Sequence, residues 1–409
     1  MIEEIQSMHD NNTWKLVPRP ADVKPLACKW IYRIKEGNSP NDPPRFKARL
    51  VAKGFHQRDN IDFNDIFALV VKYKTLRLLI AMTAIFDWHI EQMDVKTAFL
   101  HGDLLETIHM CQPEGFVDKT KPNHACLLRK SIYGLKQSSR QWNKKFNCCM
   151  LDLGFVRSKY DTCLYLKRVK NYAPLFVLLY VDDLLLISSS MHDIKLTKFD
   201  LQKHFDVKDL GIAQKILGVK LTRDRTNGVI CLSQSEYFAK VLDKFTVVNV
   251  KSNIIPLGGH LVFSKKDCPK TEQERMNMMN VPYDVAVGSI MYGMICTRPD
   301  LAFSISVLSR YMSDPGTKHW EAMKYLLRYL LGNKGLGLVY RNHEPKAGIV
   351  GYVDSDYASN RDNRKSTIAF YFTWNGNCVS WKSQFQAICA LSSTEVEYIA
   401  VTEAANEVI

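Results

Sequence analysis

Two apolar runs flank an adjacent pair of aspartates near the middle of the chain, and they constrain its fold more than any other feature. From Leu175 to Ser188, leucines and β-branched residues lie on both sides of Asp182-Asp183. This pattern predicts a buried β-hairpin whose turn exposes two carboxylates. Taken alone, such a pair is more often a turn than a metal site, because aspartate favours turns for backbone reasons. A membrane-spanning helix is rejected here, since carboxylates at bilayer depth are costly.

The composition is that of a globular protein with excess positive charge. The chain has 409 residues, 46% apolar and 24% charged, which is enough for two or three globular units. Lysine and arginine outnumber aspartate and glutamate by 55 to 42, a formal charge of +13. This excess favours nucleic acid as a partner over an anionic membrane surface, although a merely solvated surface would carry the same charge.

The spacing of the cysteines and the first residues of the chain indicate in which cellular compartment we expect the protein. The 11 cysteines form no CxxC pair and no Cys/His run at zinc-ligand spacing, so we expect reduced, packing cysteines in a cytosolic protein. The first residues lack the basic and apolar regions of a secretory signal, and no export is expected.

Upstream of the aspartate pair, the pattern indicates strands and one helix. Turn-forming residues from Gly37 to Pro44 predict a hairpin tip. Residues 45–53 alternate basic and apolar side chains, which indicates a strand with a basic face that could hold phosphates; an exposed edge strand kept soluble by lysine is the alternative. Thr75 to Trp88 has helical periodicity and leads into a strand, His89 to Val95, that places Asp94 near its end.

Downstream, a second unit with few chemical signals is predicted. Ser131 to Leu153 is a basic amphipathic helical pattern, and Ser252 to Met279 is a polar linker with a domain boundary near residues 260–280. The periodicity then predicts packing helices followed by strands and a last helix beginning near Ser392, where a capping box fits. The predicted helices are Asp284–Cys296, Pro299–Met312 and Thr317–Leu331, and the strands are Gly348–Asp354, Ser366–Trp374 and Cys378–Trp381.

Short motifs follow one another in a characteristic order along nearly the whole chain. They are Asn12–Trp14, Cys28–Trp30, Arg45–Gly54, Gln92–Gly102, Tyr133-Gly134-Leu135-Lys136-Gln137, Tyr180-Val181-Asp182-Asp183, Asp209–Gly211, Leu217–Gly218, Thr297–Asp300 and Leu391–Glu395. In this order they closely resemble the reverse transcriptase region of copia-type retrotransposon Pol polyproteins, in particular those of plant Tnt-like elements.

The resemblance implies an α+β fold with the right-hand arrangement of polymerases. Fingers and palm would occupy residues 1–190, a thumb-like region 191–260, a helical connection 261–345, and a partial RNase H-like α/β segment 346–409. The implied activity is RNA-directed DNA polymerisation. The implied partners are an RNA template, a DNA primer or RNA–DNA hybrid, deoxynucleoside triphosphates and the rest of the Pol polyprotein, including integrase and protease. No membrane is implied, and the location is the cytoplasm, in virus-like particles of an intact element, with the nucleus as an alternative.

The resemblance also assigns roles to particular residues. Asp94 and Asp182 would be the principal ligands of two Mg²⁺ ions, with Mn²⁺ as a substitute, and Asp183 would complete the acidic cluster. Carboxylate oxygens are the ligands these hard cations prefer. The implied nucleotide-binding residues are Lys47 and Arg49 on the triphosphate, Phe99 as the residue that excludes a 2′-hydroxyl, and Gln137. Lys136, Arg140, Lys144 and Lys145 would contact nucleic-acid backbones.

The C-terminal segment resembles the start of an RNase H domain. Asp354 matches its first acidic residue and Glu397 its second, with Glu395 as the competing assignment. Because the later carboxylates of that domain have no counterpart in this sequence, RNA cleavage by the chain is not expected.

Some positions depart from the family pattern. Residues 67–70 and Gln137–Arg140 lack the usual prolines, Asn143 stands where tyrosine is usual, and Cys111 replaces an acidic residue. None removes a candidate metal ligand. The alternative function is that of a catalytically silent relic or a domesticated nucleic-acid-binding protein. A metal-dependent phosphotransferase that needs no template is the third and weaker hypothesis.

Overall fold

The computed structural model describes residues 1–35, 43–66, 70–168, 173–247, 250–259, 261–342 and 348–408. The predicted hairpin tip at residues 37–44 lies mostly outside the described residues, as does most of the departure at residues 67–70. The described chain divides into two compact units. Unit 1 consists of Met1–Val71 and His89–Ile212, and unit 2 of Lys72–Trp88 and Ala213–Ile409.

Helices and antiparallel strands alternate irregularly, which confirms the predicted α+β class. The described helices are α1 (Ile2–Asp10), α2 (Tyr73–Ile85), α3 (Ser138–Asp152), α4 (Met191–His204), α5 (Ser235–Lys244), α6 (Glu272–Met279), α7 (Tyr283–Thr297), α8 (Ala302–Leu308), α9 (Thr317–Asn333) and α10 (Ser393–Val408). The described strands are β1 (Trp14–Pro18), β2 (Cys28–Lys35), β3 (Arg45–Ala52), β4 (His89–Val95), β5 (His109–Met110), β6 (His124–Leu128), β7 (Val156–Arg157), β8 (Leu164–Lys167), β9 (Leu175–Tyr180), β10 (Asp183–Ser188), β11 (Val207–Ile212), β12 (Lys215–Ile216), β13 (Val219–Asp224), β14 (Val229–Ser233), β15 (Gly337–Arg341), β16 (Ile349–Ser355), β17 (Thr367–Trp374) and β18 (Asn377–Phe385).

Unit 1 is built on a six-stranded sheet in the order β11-β4-β10-β9-β8-β7. The apolar runs that predicted the hairpin become β9 and β10, and Leu184 and Leu186 are fully buried. Together with Met93 of β4 they pack in one core with Trp142 of α3 and Leu201 of α4. Since strand residues alternate between faces, this register sends Asp94 and Asp183 to the opposite face.

The rest of unit 1 comprises a small sheet, β1-β6-β5, the two-stranded hairpin β2–β3 and helix α1. Met8 of α1, Leu50 of β3 and Leu128 of β6 share a second core. That core anchors the inner end of β3, and the buried carboxylate of Glu4 accepts a hydrogen bond from Leu50 N at 3.3 Å.

Unit 2 combines a four-stranded sheet, β12-β13-β14-β15, a three-stranded sheet, β16-β17-β18, and a helical core. Helices α5, α7, α8 and α9 supply that core, which contains Phe238, Ile290, Ile305 and Leu326. Helix α10 packs on β16 and β17.

Local predictions and structure agree where the apolar period is long. The predicted strand at His89–Val95 and the helix from Thr317 are confirmed, the latter running to Asn333. The polar linker prediction was wrong in its second half, because Thr271 and Glu274 form a capping box that starts α6. The basic helix was placed too early, since Gly134 has φ +92° and α3 begins only at Ser138.

Candidate active site

Three aspartates lie at one end of the β4–β10 ladder. Tyr180 pairs with Asp183, which leaves Val181 and Asp182 as a two-residue turn between β9 and β10. Asp183 pairs directly with Asp94 of β4. Val95 N donates to the Asp182 carbonyl oxygen at 2.7 Å, so the turn is also hydrogen-bonded to the end of β4. The backbone register alone therefore brings together the three candidate ligands.

The turn between β9 and β10 carries backbone strain. Val181 has φ +54°, a left-handed conformation that a β-branched residue rarely adopts. Its carbonyl oxygen accepts a hydrogen bond from the indole Nε1 of Trp142, which is buried in the unit 1 core. Such strain persists only where surrounding structure enforces it, and it concentrates at functional sites. The strained residue here directly precedes the aspartate pair.

The charges of this turn call for a counter-ion. Asp94 and Asp183 are directly opposed across antiparallel strands, where like charges destabilise the pair. Gln92 Nε2 donates to Asp183 Oδ1 at 3.1 Å, which offsets part of this repulsion. All three aspartates are partly exposed to solvent. The donor set, carboxylate oxygens alone, has the chemistry that Mg²⁺ and Mn²⁺ prefer. Within the described ranges, however, no His, Cys, Asp or Glu side chains already form a metal-binding group of three or more.

An aromatic and cationic stack lies beside the aspartates. The rings of Phe99 and Tyr133 meet edge to face with centroids 5.1 Å apart. The Arg49 guanidinium lies over the same tyrosine ring at 4.6 Å. Burial raises the pKa of Tyr133 to about 12; Arg49 opposes this, while the charges of Glu4, Asp182 and Asp94 add to it. Two predicted nucleotide-binding residues, Arg49 and Phe99, are thus joined by Tyr133, the first residue of the Tyr133–Gln137 motif.

Gln137 is bonded to other groups of the protein. It is fully buried, and its amide is engaged by protein groups: Gln57 Nε2 donates to its Oε1 at 3.0 Å, and its Nε2 donates to the Asp62 carbonyl at 2.9 Å. Gln57 Oε1 in turn accepts from Lys136 N at 2.8 Å. Gln137 therefore anchors the segment around Gln57, and its contact with a nucleotide stays a prediction. Gln57 was missed because its partner lies 80 residues away in sequence.

Gly54 and Gly134 lie where the end of β3 and the residues after it pass close to the loop that carries Tyr133; we call this close approach the glycine crossing. Ala52 N donates to the Tyr133 carbonyl at 2.8 Å. A Cβ on Gly54 would lie 2.0 Å from the Gly134 carbonyl oxygen, and a Cβ on Gly134 would lie 2.2 Å from the Ala52 carbonyl oxygen. Side chains are excluded at both positions, so the Arg49 strand and the Tyr133 loop are held at a fixed separation.

The hairpin β2–β3 presents a basic face, as the alternation had predicted for β3. Its register pairs Arg33 with Lys47 and Ile31 with Arg49, so residues two apart along each strand share that face. The described basic residues of this face are Lys29, Arg33, Arg45, Lys47 and Arg49.

The basic residues predicted on α3 are partly paired. Arg140 forms an ion pair with Asp65 at 2.8 Å, and Lys145 forms one with Asp103 at 3.2 Å. The Lys136 amine lies 4.4 Å from the centre of the Phe63 ring. Since exposed ion pairs are weak, these side chains can exchange their partners for phosphates at little cost.

The two acidic residues predicted as an RNase H-like remnant, Asp354 and Glu397, lie in unit 2. Asp354 and Glu397 are both exposed. Glu395, the competing assignment, is used in the cap of α10, where its Oε2 accepts from Leu391 N at 2.6 Å. Asp356 likewise accepts from Thr367 N at 2.8 Å. The roles of Asp354 and Glu397 stay predictions.

The departures from the family pattern have local compensations. Ser138 donates its hydroxyl to the Ile132 carbonyl and so closes the loop that a proline would otherwise stiffen. Asn143 accepts from Arg157 Nη2 at 2.8 Å. Cys111 is exposed, with its thiol 3.8 Å from the Pro25 carbonyl oxygen.

Comparison with known proteins decides the family. The model for the reverse transcriptase (RNA-dependent DNA polymerase) family matches residues 11–258. The chain belongs to this family. It is 47% identical over its whole length to the retrovirus-related Pol polyprotein from transposon TNT 1-94 of Nicotiana tabacum, and covers 31% of that protein. The predicted resemblance to plant copia-type elements is thereby confirmed.

More distant relatives agree. The chain is 34% identical over its full length to the Pol polyprotein from transposon RE1 of Arabidopsis thaliana, of which it covers 27%. It is 32% identical, over 77% of its length, to the whole of a putative transposon Ty5-1 protein of Saccharomyces cerevisiae. The chain thus spans about a third or less of the plant Pol polyproteins it matches. None of the helices in the described parts of the chain has the length and apolarity needed to cross a membrane.

Proposed function

We propose that the chain is an RNA-directed DNA polymerase that extends a DNA primer on an RNA template. The observation that carries the proposal is the β4–β10 register, which opposes Asp94 and Asp183 beside the strained Val181–Asp182 turn. Residues 1–190 would then serve as fingers and palm, 191–260 as a thumb-like region, 261–345 as a connection and 346–409 as an RNase H-like segment.

The acidic turn is assigned to catalysis of nucleotidyl transfer. Asp94 and Asp182, with Asp183 completing the cluster, would hold two Mg²⁺ ions, or Mn²⁺ in their place. When bound, such ions stabilise the attacking and leaving oxygens of an in-line displacement. The ladder of β4 and β10 fixes the backbone positions of Asp94 and Asp183.

Other side chains would bind the substrates. Lys47 and Arg49 lie on the basic face of β2–β3, where cations can meet the triphosphate and balance charge on the departing pyrophosphate. Phe99 would close the pocket against a 2′-hydroxyl. Gln137 holds the Gln57 segment through its amide, and its contact with a nucleotide is proposed from the family resemblance.

Partners follow from the same proposal. The basic face and the cations of α3 would contact backbone phosphates of an RNA template, a DNA primer and their hybrid, so binding should weaken steeply with salt. The plant relatives are named Pol polyproteins. By the family resemblance, the remaining parts of such a polyprotein, integrase and protease, would accompany the chain in an intact element.

Primer extension tests this function. With an RNA template, deoxynucleotides and Mg²⁺, the unmodified chain should synthesise DNA, and the Asp182→Asn/Asp183→Asn variant should lose at least about 10³-fold of that rate. Asp200→Asn is the matched control, because Asp200 forms an ion pair with Lys203 on the surface of α4. A folded chain that binds hybrid but synthesises nothing would contradict the proposal and favour a silent nucleic-acid-binding relic.

A further inference from the structure

We propose that Tyr133 is a positioning residue whose ring fixes Arg49 for triphosphate binding and Phe99 for sugar selection. The inference rests on the proposed function and assigns a role to a residue to which the family resemblance gave none. Its basis is that one aromatic ring contacts both of the other side chains.

The contact with Arg49 restricts a flexible cation. The guanidinium lies 4.6 Å from the centre of the Tyr133 ring, within the range of a cation–π interaction. A long arginine side chain loses much rotamer freedom when it binds a ligand. With the guanidinium already held on the ring, less of that freedom is lost on binding, and the affinity for the triphosphate rises accordingly.

The contact with Phe99 restricts the sugar side of the pocket. Phe99 follows Thr97, a left-handed residue with φ +49°, at the start of a short 3₁₀ turn that covers Ala98–His101. Its ring is only partly buried and meets the Tyr133 ring edge to face at 5.1 Å. Without that ring, Phe99 could turn away and admit a 2′-hydroxyl.

The Tyr133 backbone is held as firmly as its ring. The Tyr133 carbonyl accepts from Ala52 N, and the glycine crossing of Gly54 and Gly134 fixes the distance between the loop and β3. Arg49 lies three residues before Ala52 on that strand. A change in the Tyr133 ring should therefore be felt by Arg49 and Phe99 without moving the backbone around them.

The phenol itself is not required to transfer a proton. Burial together with the nearby charges of Asp94 and Asp182 keeps the Tyr133 hydroxyl protonated, with a pKa of about 12. The ring is thus the part that acts. Tyr133→Phe, which keeps the ring, should behave like the unmodified chain, whereas Tyr133→Leu should not.

The role of Tyr133 is tested by the equilibrium binding of dATP and of ATP to the chain on a hybrid. The primer of this hybrid ends in a dideoxynucleotide, so that no turnover is needed. Tyr133→Leu should weaken dATP binding about tenfold and reduce the preference for dATP over ATP by a similar factor. Tyr133→Phe should restore both quantities. Phe116→Leu is the control, because it removes one ring from a comparable pair with Trp30 in the same unit.

A double-variant cycle identifies the route. If Tyr133 acts through Arg49, the losses of dATP affinity in Tyr133→Leu and Arg49→Lys should be clearly non-additive. Additive losses, or a Tyr133→Leu variant with unchanged affinity and sugar preference, would overturn the inference. If the unmodified chain prefers dATP in this assay but does not extend primers, the polymerase proposal fails, and the dATP affinities of Tyr133→Leu and Tyr133→Phe still decide the role of Tyr133. If it binds neither nucleotide, both fail.

Discussion

In unit 1 the acidic side chains at the end of β4 and β10 are partly buried around a constrained turn, whereas in unit 2 Asp354 and Glu397 are exposed. The unit 1 turn has a fixed ladder register, a strained Val181 and a hydrogen bond to Asp183. In unit 2, the neighbouring carboxylates Asp356 and Glu395 are used by the backbone instead. The fold thus constrains the acidic residues of the unit 1 turn, while the roles of Asp354 and Glu397 stay predictions.

Removing one carboxylate from each unit tests this difference most directly. Asp94→Asn should lower the primer-extension rate by at least about 10³-fold, because it removes a charge that the proposed mechanism requires. Its thermal stability should stay the same or rise slightly, since the repulsion from Asp183 disappears. Asp354→Asn, the matched change in unit 2, should leave the rate unchanged. Equal losses in both variants would refute the contrast.

Large parts of the fold could be predicted from sequence because the signals are local. The apolar runs around Asp182-Asp183 gave the hairpin, and the periodicity after Thr317 gave α9. Capping chemistry placed the start of α10, where Glu395 N donates to Ser392 Oγ at 3.1 Å. The same chemistry was overlooked at Thr271, inside a segment whose polarity suggested a linker.

The supports of the candidate site could not be predicted in this way. Tyr133 meets Arg49 across a gap of more than eighty residues in the chain, and Gln137 meets Gln57 across 80. Neither pairing leaves a periodic trace, because each depends on how β3 crosses the loop at Gly134. Sequence motifs identified the residues, and only the fold determined which side chains hold which.

The glycine crossing provides the next test of the contrast. Gly134→Ala should destabilise unit 1 by about 3 kcal/mol, because the added Cβ combines a φ of +92° with an approach of 2.2 Å to the Ala52 carbonyl oxygen. Gly211→Ala is the matched control: Gly211 also has a positive φ, of +72°, but a Cβ there meets nothing within 4 Å. It should cost only about 1 kcal/mol.

Chemical denaturation measures both costs, and nucleotide binding measures their functional consequence. Gly134→Ala should also weaken dATP binding, since displacement of β3 carries Arg49 with it. If the two alanine variants are equally stable and bind dATP equally well, the crossing is not what holds the site together.

Unit 2 has its own constrained titratable group, although it lies in the helical core and not at Asp354. His319 of α9 is fully buried and stacks on Tyr311 with ring centroids 4.0 Å apart. Its Nδ1 accepts from Gly316 N at 2.9 Å, which requires the neutral ring. Burial lowers the pKa of His319 to about 4; Asp267 and Asp314 oppose this shift, and Lys318 adds to it.

This burial predicts an acid-labile unit 2. In the unfolded chain the imidazole has a pKa of about 6.5, so between pH 6.5 and 4 the unfolded state binds more protons than the folded one. The free energy of unfolding therefore falls as the pH is lowered through this range. At pH 5 the loss relative to pH 7.5 should be about 2 kcal/mol. His319→Gln, whose amide oxygen can accept from Gly316 N without titrating, should remove that part of the pH dependence. Denaturation of both chains at the two pH values decides the matter: parallel losses would show that other groups, and not His319, make unit 2 sensitive to acid.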